Sequence, residues 1–149
     1  METRVVIHVT GSHSPGQGVN RRGMGGWAAL LHCGKFTKQL VGTEHNASNA
    51  RLELLGCIAG LEALKRPLQV ELRLANPNIC RGVRENWPQR WRRKGYFSVG
   101  YSPLRHADLW KKMGDLMELH EVVAFEPEKR RNELIRCRQL AREARSQAA

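Results

Sequence analysis

Val5-Val6-Ile7-His8-Val9-Thr10-Gly11-Ser12 is the stretch on which the reading of this chain turns. It is rich in β-branched side chains, whose stiff χ1 suits an extended backbone. It is also apolar almost throughout, which reads as a buried strand over Thr3 to Val9 that Gly11 brings to a turn. The strand is thus expected to end in Thr10-Gly11-Ser12, two neutral hydroxyls around a glycine.

Working outward, Ser12 to Gly25 carries glycines, Pro15, Asn20, Arg21 and Arg22 and reads as a long loop. Trp27 to His32 and Lys35 to Thr43 form a hairpin that turns near Cys33-Gly34. Asn46 and Ser48 have N-cap chemistry ahead of a helix from Asn49 to Lys65, with Leu52, Leu55, Ile58, Ala59 and Ala63 as its apolar face, and Pro67 follows it. Leu68 to Leu74 alternates as a fourth strand, and Pro77 sits where a short helix opens. Trp87 to Lys94 is a basic amphipathic helix, His106 to Leu119 a further helix, and Glu121 to Phe125 a last strand. Pro127 opens a basic C-terminal helix over about residues 127–146. The order β-β-β-α-β-α-β-α, without repeat or linker, predicts one α/β domain over residues 1–149: a mixed sheet flanked by helices.

Composition limits what such a domain does. Its 149 residues are enough to bury a core, and no apolar run approaches the roughly 20 residues that span a bilayer. Nothing at the N-terminus has the form of a signal peptide. Cys33, Cys57, Cys80 and Cys137 are scattered without a C-x-x-C pair, which argues for reduced thiols in a cytoplasmic or other reducing compartment rather than for zinc. Twenty-five Lys and Arg against 14 Asp and Glu give a net charge of +11. The cations cluster at Arg21-Arg22, Arg90 to Lys94 and Lys129 to Arg145, a pattern that points to a polyanionic partner, namely nucleic acid.

Four segments together resemble type 1 ribonuclease H, the family that cuts the RNA strand of RNA–DNA hybrids. They are the first strand with Gly11-Ser12, Asn49-Ala50-Arg51-Leu52-Glu53-Leu54-Leu55, Val70 to Asn76, and the Trp- and Arg-rich stretch from Trp87 to Tyr96. The resemblance implies a ribonuclease H-like fold with a five-stranded mixed sheet. It also implies two-metal phosphodiester hydrolysis, in which clustered carboxylates hold two Mg²⁺ about 3.5–4 Å apart. Of the four carboxylate positions it implies, the first falls on Thr10, the second on Glu53, the third on Asn76 and the fourth on Arg138, just ahead of Leu140-Ala141-Arg142. One acid of four remains, and one has become a guanidinium that cannot deprotonate. The family's Gly-His loop ahead of the last helix has no counterpart in Glu121 to Glu128, which contains neither residue. No metal is expected, with Glu53 the only ligand if there is one, and Mg²⁺ enters only in a residual or rewired nuclease. His8, His13, Glu44 and His45 are the candidates for rewiring, and Glu133 and Glu143 for a shifted alignment of the last helix. Glu53, left without metal, is expected to find Arg138 as its counter-charge.

Binding chemistry is better retained. Arg90, Trp91, Arg92, Arg93 and Lys94 reproduce the family's pairing of tryptophan with cations, with Trp87 and Trp91 anchoring the helix and the cations facing phosphates. By resemblance, Asn49 and Asn78 touch the minor groove, Ser48 binds a phosphate, and Arg21 and Arg22 flank the groove. Three functional readings follow. In the first, a degenerate domain binds an RNA–DNA hybrid or structured RNA without cleavage. In the second, it is a structural subunit of a large ribonucleoprotein; in the third, it is a residual or rewired hybrid ribonuclease.

Overall fold

The computed structural model describes residues 4–15, 22–94, 106–126 and 132–148. Its elements are β1 (Arg4–Pro15), β2 (Arg22–Cys33), β3 (Phe36–His45), α1 (Asn49–Glu62), β4 (Gln69–Leu74), α2 (Pro77–Arg84), α3 (Trp87–Arg92), α4 (Ala107–Leu119), β5 (Glu121–Phe125) and α5 (Asn132–Ala148). The strands form one sheet in the order β3-β2-β1-β4-β5. β1 pairs antiparallel with β2 (Val9 opposite Ala29, Thr10 opposite Ala28) and parallel with β4 (Val9 opposite Leu74), while β5 extends the parallel side. This is the expected five-stranded mixed sheet.

β1 sits at the centre, and alternation along it sends side chains into two different cores. Val5, Ile7 and Val9 enter the larger one, with Leu54, Cys57, Ile58 and Leu61 of α1, Ile79 and Val83 of α2, and Leu109, Trp110 and Met113 of α4. On the opposite face Ala28 and Leu30 of β2 meet Cys137, Leu140 and Ala141 of α5. His8 and Thr10 point to this second face and are also buried. Helix layers therefore cover both faces of the strand, which is why its sequence is apolar nearly without a break.

Two expectations are corrected. Ser12 to Gly25 is not one long loop: β1 continues to Pro15 and β2 begins at Arg22, with Ser12 opposite Gly26 and His13 opposite Gly25. Gly25 and its neighbour Gly26 are strand positions with no room for a side chain. A Cβ on Gly26 would stand 2.2 Å from the Ala141 carbonyl oxygen of α5. Helix α1, similarly, ends at Glu62, and its buried residues include Glu53, Leu54, Gly56, Cys57 and Leu61, while Leu55, Ala59 and Ala63 are only half-buried. A helix wedged between the sheet and α4 has no single wet face. Gly56 lets it approach β1, because a Cβ there would meet Val9 Cγ1 at 2.5 Å.

At the far edge of the sheet, two guanidinium groups bracket Phe125 of β5: Arg73 at 4.8 Å and Arg84 at 5.6 Å from the ring centre. Arg84 Nε also donates to the carbonyl of Ala124 at 2.8 Å, and Arg73 Nη1 to that of Glu126 at 3.4 Å. Trp87, Trp91 and Trp110 pack together at centroid distances of 5.3–6.1 Å and seat the six-residue α3 on α4. α3 is shorter than expected, with Arg93 and Lys94 in the turn that follows it. The start of the C-terminal helix at Pro127 lies outside the described residues.

The approach of α5 to the sheet depends on Gly26. Gly26→Ala is expected to lower stability by about 1–3 kcal/mol through overpacking against α5, read as a fall in the chemical-denaturation midpoint. A midpoint unchanged from the parent would show that α5 does not press on β2 there.

Candidate nucleic-acid interface and carboxylate site

The first, second and third of the four positions converge where the C-terminal ends of β1 and β4 meet α1. Thr10 is 2% exposed near the end of β1, on the face that α5 covers. Glu53, on the second turn of α1, is also 2% exposed. Both its carboxyl oxygens accept from the backbone N–H of Asn76, at 2.9 Å to Oε1 and 3.1 Å to Oε2. Burial pushes the Glu53 carboxyl up to about 8, against the opposite pull of the Asn76 and Ala75 amides. Desolvation wins because the ionised form has amide dipoles but no counter-charge. At neutral pH this carboxyl therefore holds its proton.

Asn76 closes β4 and caps α2. Its Oδ1 accepts from the N–H groups of Asn78 (2.9 Å) and Ile79 (3.3 Å), and Pro77 occupies the first helical turn. An amide serves here as well as a carboxylate, since both are favoured at this position.

The fourth position departs from expectation. Arg138 is exposed on α5 and makes no ion pair with Glu53. The inward-facing residue at this level of the helix is Cys137, whose thiol donates to the carbonyls of His8 (3.3 Å) and Ala28 (3.2 Å). Burial pushes that thiol up to about 11, and Glu53 acts in the same direction. Arg138 stands outside this pocket, and the Glu53 carboxyl is met instead by the Asn76 backbone amide. Sequence reasoning passed over Cys137; its signal was the inward spacing it shares with Leu134, Leu140 and Ala141.

The residues considered for a rewired site do not come together. His8 is buried with its ring edge-on to His32 at 5.9 Å. Glu44 is held by Arg51, His45 is exposed, and the His13 carbonyl accepts from Arg145. Glu143 accepts from Gln139, and Glu133 is half-buried at the start of α5. Among the described residues, no three His, Cys, Asp or Glu side chains are grouped so as to hold a metal ion.

The expected binding residues fall into three groups. Ser48 caps α1, its Oγ accepting from Arg51 N–H at 3.2 Å and lying 3.5 Å from His106 Nε2. Asn49 and Asn78 are exposed in the first turns of α1 and α2. Nearby, Arg51 grips Glu44 (2.7 Å) and Asp108 (3.1 Å), and its guanidinium holds Asp108 below the usual carboxylate range. This pairing ties α4 to the start of α1. On α3, Trp91 is half-buried in the tryptophan cluster. Arg92 is not free to face phosphates, because it is held by Asp115 (2.9 Å) and Glu118 (2.7 Å) of α4. Arg90 stands 3.9 Å from Glu85, and Arg93 and Lys94 are exposed. Arg21 lies outside the described residues, and Arg22 is placed only by its backbone in β2.

The chain was compared with known proteins. The ribonuclease H family model matches residues 2–126. A ribonuclease H of Pseudomonas fluorescens is 43% identical over 100 residues, which are 67% of this chain and 65% of that protein, so the match spans just under two thirds of that relative. A ribonuclease H of Syntrophotalea carbinolica is 36% identical over 147 residues, 96% of this chain and 93% of the relative. Among solved structures, LC9-RNase H1, described as a type 1 RNase H with the type 2 active-site motif, superposes with a TM-score of 0.82 at 14% identity, covering 100% of this chain and 75% of the other. LC11-RNase H1 in complex with an RNA/DNA hybrid gives 0.70 at 18% identity, with coverage of 97% and 98%. The structural likenesses show the fold. The family match takes in the strand with Gly11, the Glu53 helix and the tryptophan helix, and by it this chain belongs to the ribonuclease H family.

Proposed function

We propose that this domain holds an RNA–DNA hybrid, or structured RNA of the same A-like geometry, without hydrolysing it. One observation carries the reading: Glu53 is sealed beneath the Asn76 amide as a neutral acid. The residues at the four positions do not fit a pair of divalent cations. Thr10 is a buried neutral hydroxyl, the Asn76 Oδ1 is committed to capping α2, and Arg138 brings a positive charge. Two dications need several ionised carboxylates around them, and the only carboxyl here would first have to lose its proton at a site with no counter-charge.

Retained binding chemistry supports the positive half of the reading. The chain carries a net charge of +11. Asn49 and Asn78 stand exposed at two helix starts on the side where Arg90, Arg93 and Lys94 are also exposed. A-form duplexes are recognised through backbone shape and 2′-hydroxyls rather than base edges, a task such a surface can perform without a metal. LC11-RNase H1, a member of the same fold, is described in complex with an RNA/DNA hybrid.

Two measurements test the reading. Incubation of the chain with a labelled hybrid in Mg²⁺ or Mn²⁺ is expected to leave the RNA strand intact while gel shift reports the complex; cleavage abolished by Glu53→Gln would instead establish a rewired nuclease. The second measurement uses the protonation of Glu53. Because its folded pKa lies above its unfolded value, the unfolded state binds fewer protons between pH 4.5 and about 8, so this group's contribution to stability falls as pH rises through that window. Glu53→Gln, a neutral isostere, is therefore expected to stabilise the fold at pH 8, by at least about 1 kcal/mol for each unit of real shift, and to make little difference at pH 4.5. Destabilisation by Glu53→Gln at pH 8 would mean that the carboxylate is ionised and paired.

A further inference from the structure

The described arginines differ in how they are paired. On the α1–α4 side four are taken by acids: Arg51 by Glu44 and Asp108, Arg81 and Arg90 by Glu85, Arg92 by Asp115 and Glu118. Arg4 and Arg73 share Glu71. On α5, Arg136, Arg138, Arg142 and Arg145 make no ion pair among the described residues. Arg136 donates only to Gln139 (3.4 Å) and Arg145 to the His13 carbonyl (2.9 Å). The acids of this helix leave them available, since Glu143 accepts from Gln139.

Arg138, Arg142 and Arg145 recur at i, i+4 and i+7, which places them on one flank of the helix at steps of roughly 6 and 4.5 Å. The bond from Arg145 to His13 orients that flank. It faces the C-terminal half of β1, which runs on to His13 and Pro15 beyond Val9, the last residue paired with β4. An open concavity of about 660 Å³ runs along the helix, with Arg138, Arg142 and one acid, Glu143, among its lining residues.

We propose that Arg138, Arg142 and Arg145 form a phosphate track that grips the backbone of an RNA–DNA hybrid directly, with guanidinium charge in place of any divalent cation. The inference rests on the binding reading above and locates its electrostatic centre. Guanidinium is planar, permanently charged and suited to two-point contact with phosphate oxygens. Thr10 is a neutral hydroxyl and Glu53 is buried, so among the described residues Glu143, which accepts from Gln139, is the one exposed acid beside the arginines of this concavity. Recognition of this kind needs no Mg²⁺, which then acts only as a competing counterion.

The test is fluorescence anisotropy of the full chain with a fluorescein-labelled RNA–DNA hybrid, across a salt series, in EDTA and in Mg²⁺. The parent is expected to bind at least as tightly in EDTA as in Mg²⁺ at matched ionic strength. Arg138→Ala combined with Arg142→Ala is expected to weaken binding tenfold or more and to reduce the slope of log K against log salt by about two units, one for each lost phosphate contact. The double variant should melt like the parent, because both side chains are exposed. Arg138→Lys with Arg142→Lys should restore the slope. Parent-like affinity and slope in the double alanine variant would overturn the track while leaving the binding reading intact. A parent that binds no hybrid at all removes both, and a parent that needs Mg²⁺ to bind overturns the metal-free grip.

Discussion

Double-sided burial of β1 is the constraint on which the rest of this molecule depends. One face of the strand is pressed by α1 through Gly56, and the neighbouring β2 is pressed by α5 through Gly26. The side chains of His8 and Thr10 therefore sit in a medium that penalises charge. Thr10, Cys137 and the protonated Glu53 are three answers to that single condition: all are polar and all are neutral. A corner that elsewhere in the family is read as a cage of acids is here packed almost like a core.

Charge has been moved outward in consequence. Acids on the α1–α4 side mostly neutralise cations and join elements, as Arg51 joins β3, α1 and α4 through Glu44 and Asp108. Exposed pairs of this type contribute little stability individually, but the two carboxylates on one guanidinium fix the relative placement of three elements. Among the described residues, Arg93 and Lys94 at the end of α3 and Arg138 and Arg142 on α5 are exposed cations in no ion pair.

Much of the fold was legible because its signals were local. Glu121 to Phe125 was read as a strand and is β5; His106 to Leu119 was read as a helix and is α4 with one residue fewer; Ser48 was read as a cap and is one. The misread segments were governed by partners far away in sequence. Gly25 and Gly26 carry a loop composition, yet they form strand, and Leu52 and α5 fill the space a side chain would need there. The apolar face expected on α1 holds at Leu52 and Ile58, which are buried, but burial extends round the helix to Glu53, Gly56 and Cys57, since periodicity presumes a wet face that a wedged helix lacks. At the site, the residue types at the four positions were readable, whereas the bonding of the Glu53 carboxyl to the Asn76 amide and the outward orientation of Arg138 were not, because both are set by contacts between elements far apart in sequence.

The bracketed ring at the edge of the sheet has a consequence of its own. β5 is a terminal strand, and an outer strand with free carbonyls invites a second chain to add itself by hydrogen bonding. Here Arg84 occupies the Ala124 carbonyl and Arg73 that of Glu126, while both guanidinium groups cover Phe125. A strand approaching that rim would have to displace two stacked cations before forming its first bond. The same positive charge that suits this protein to polyanions thus also shields its sheet from self-association.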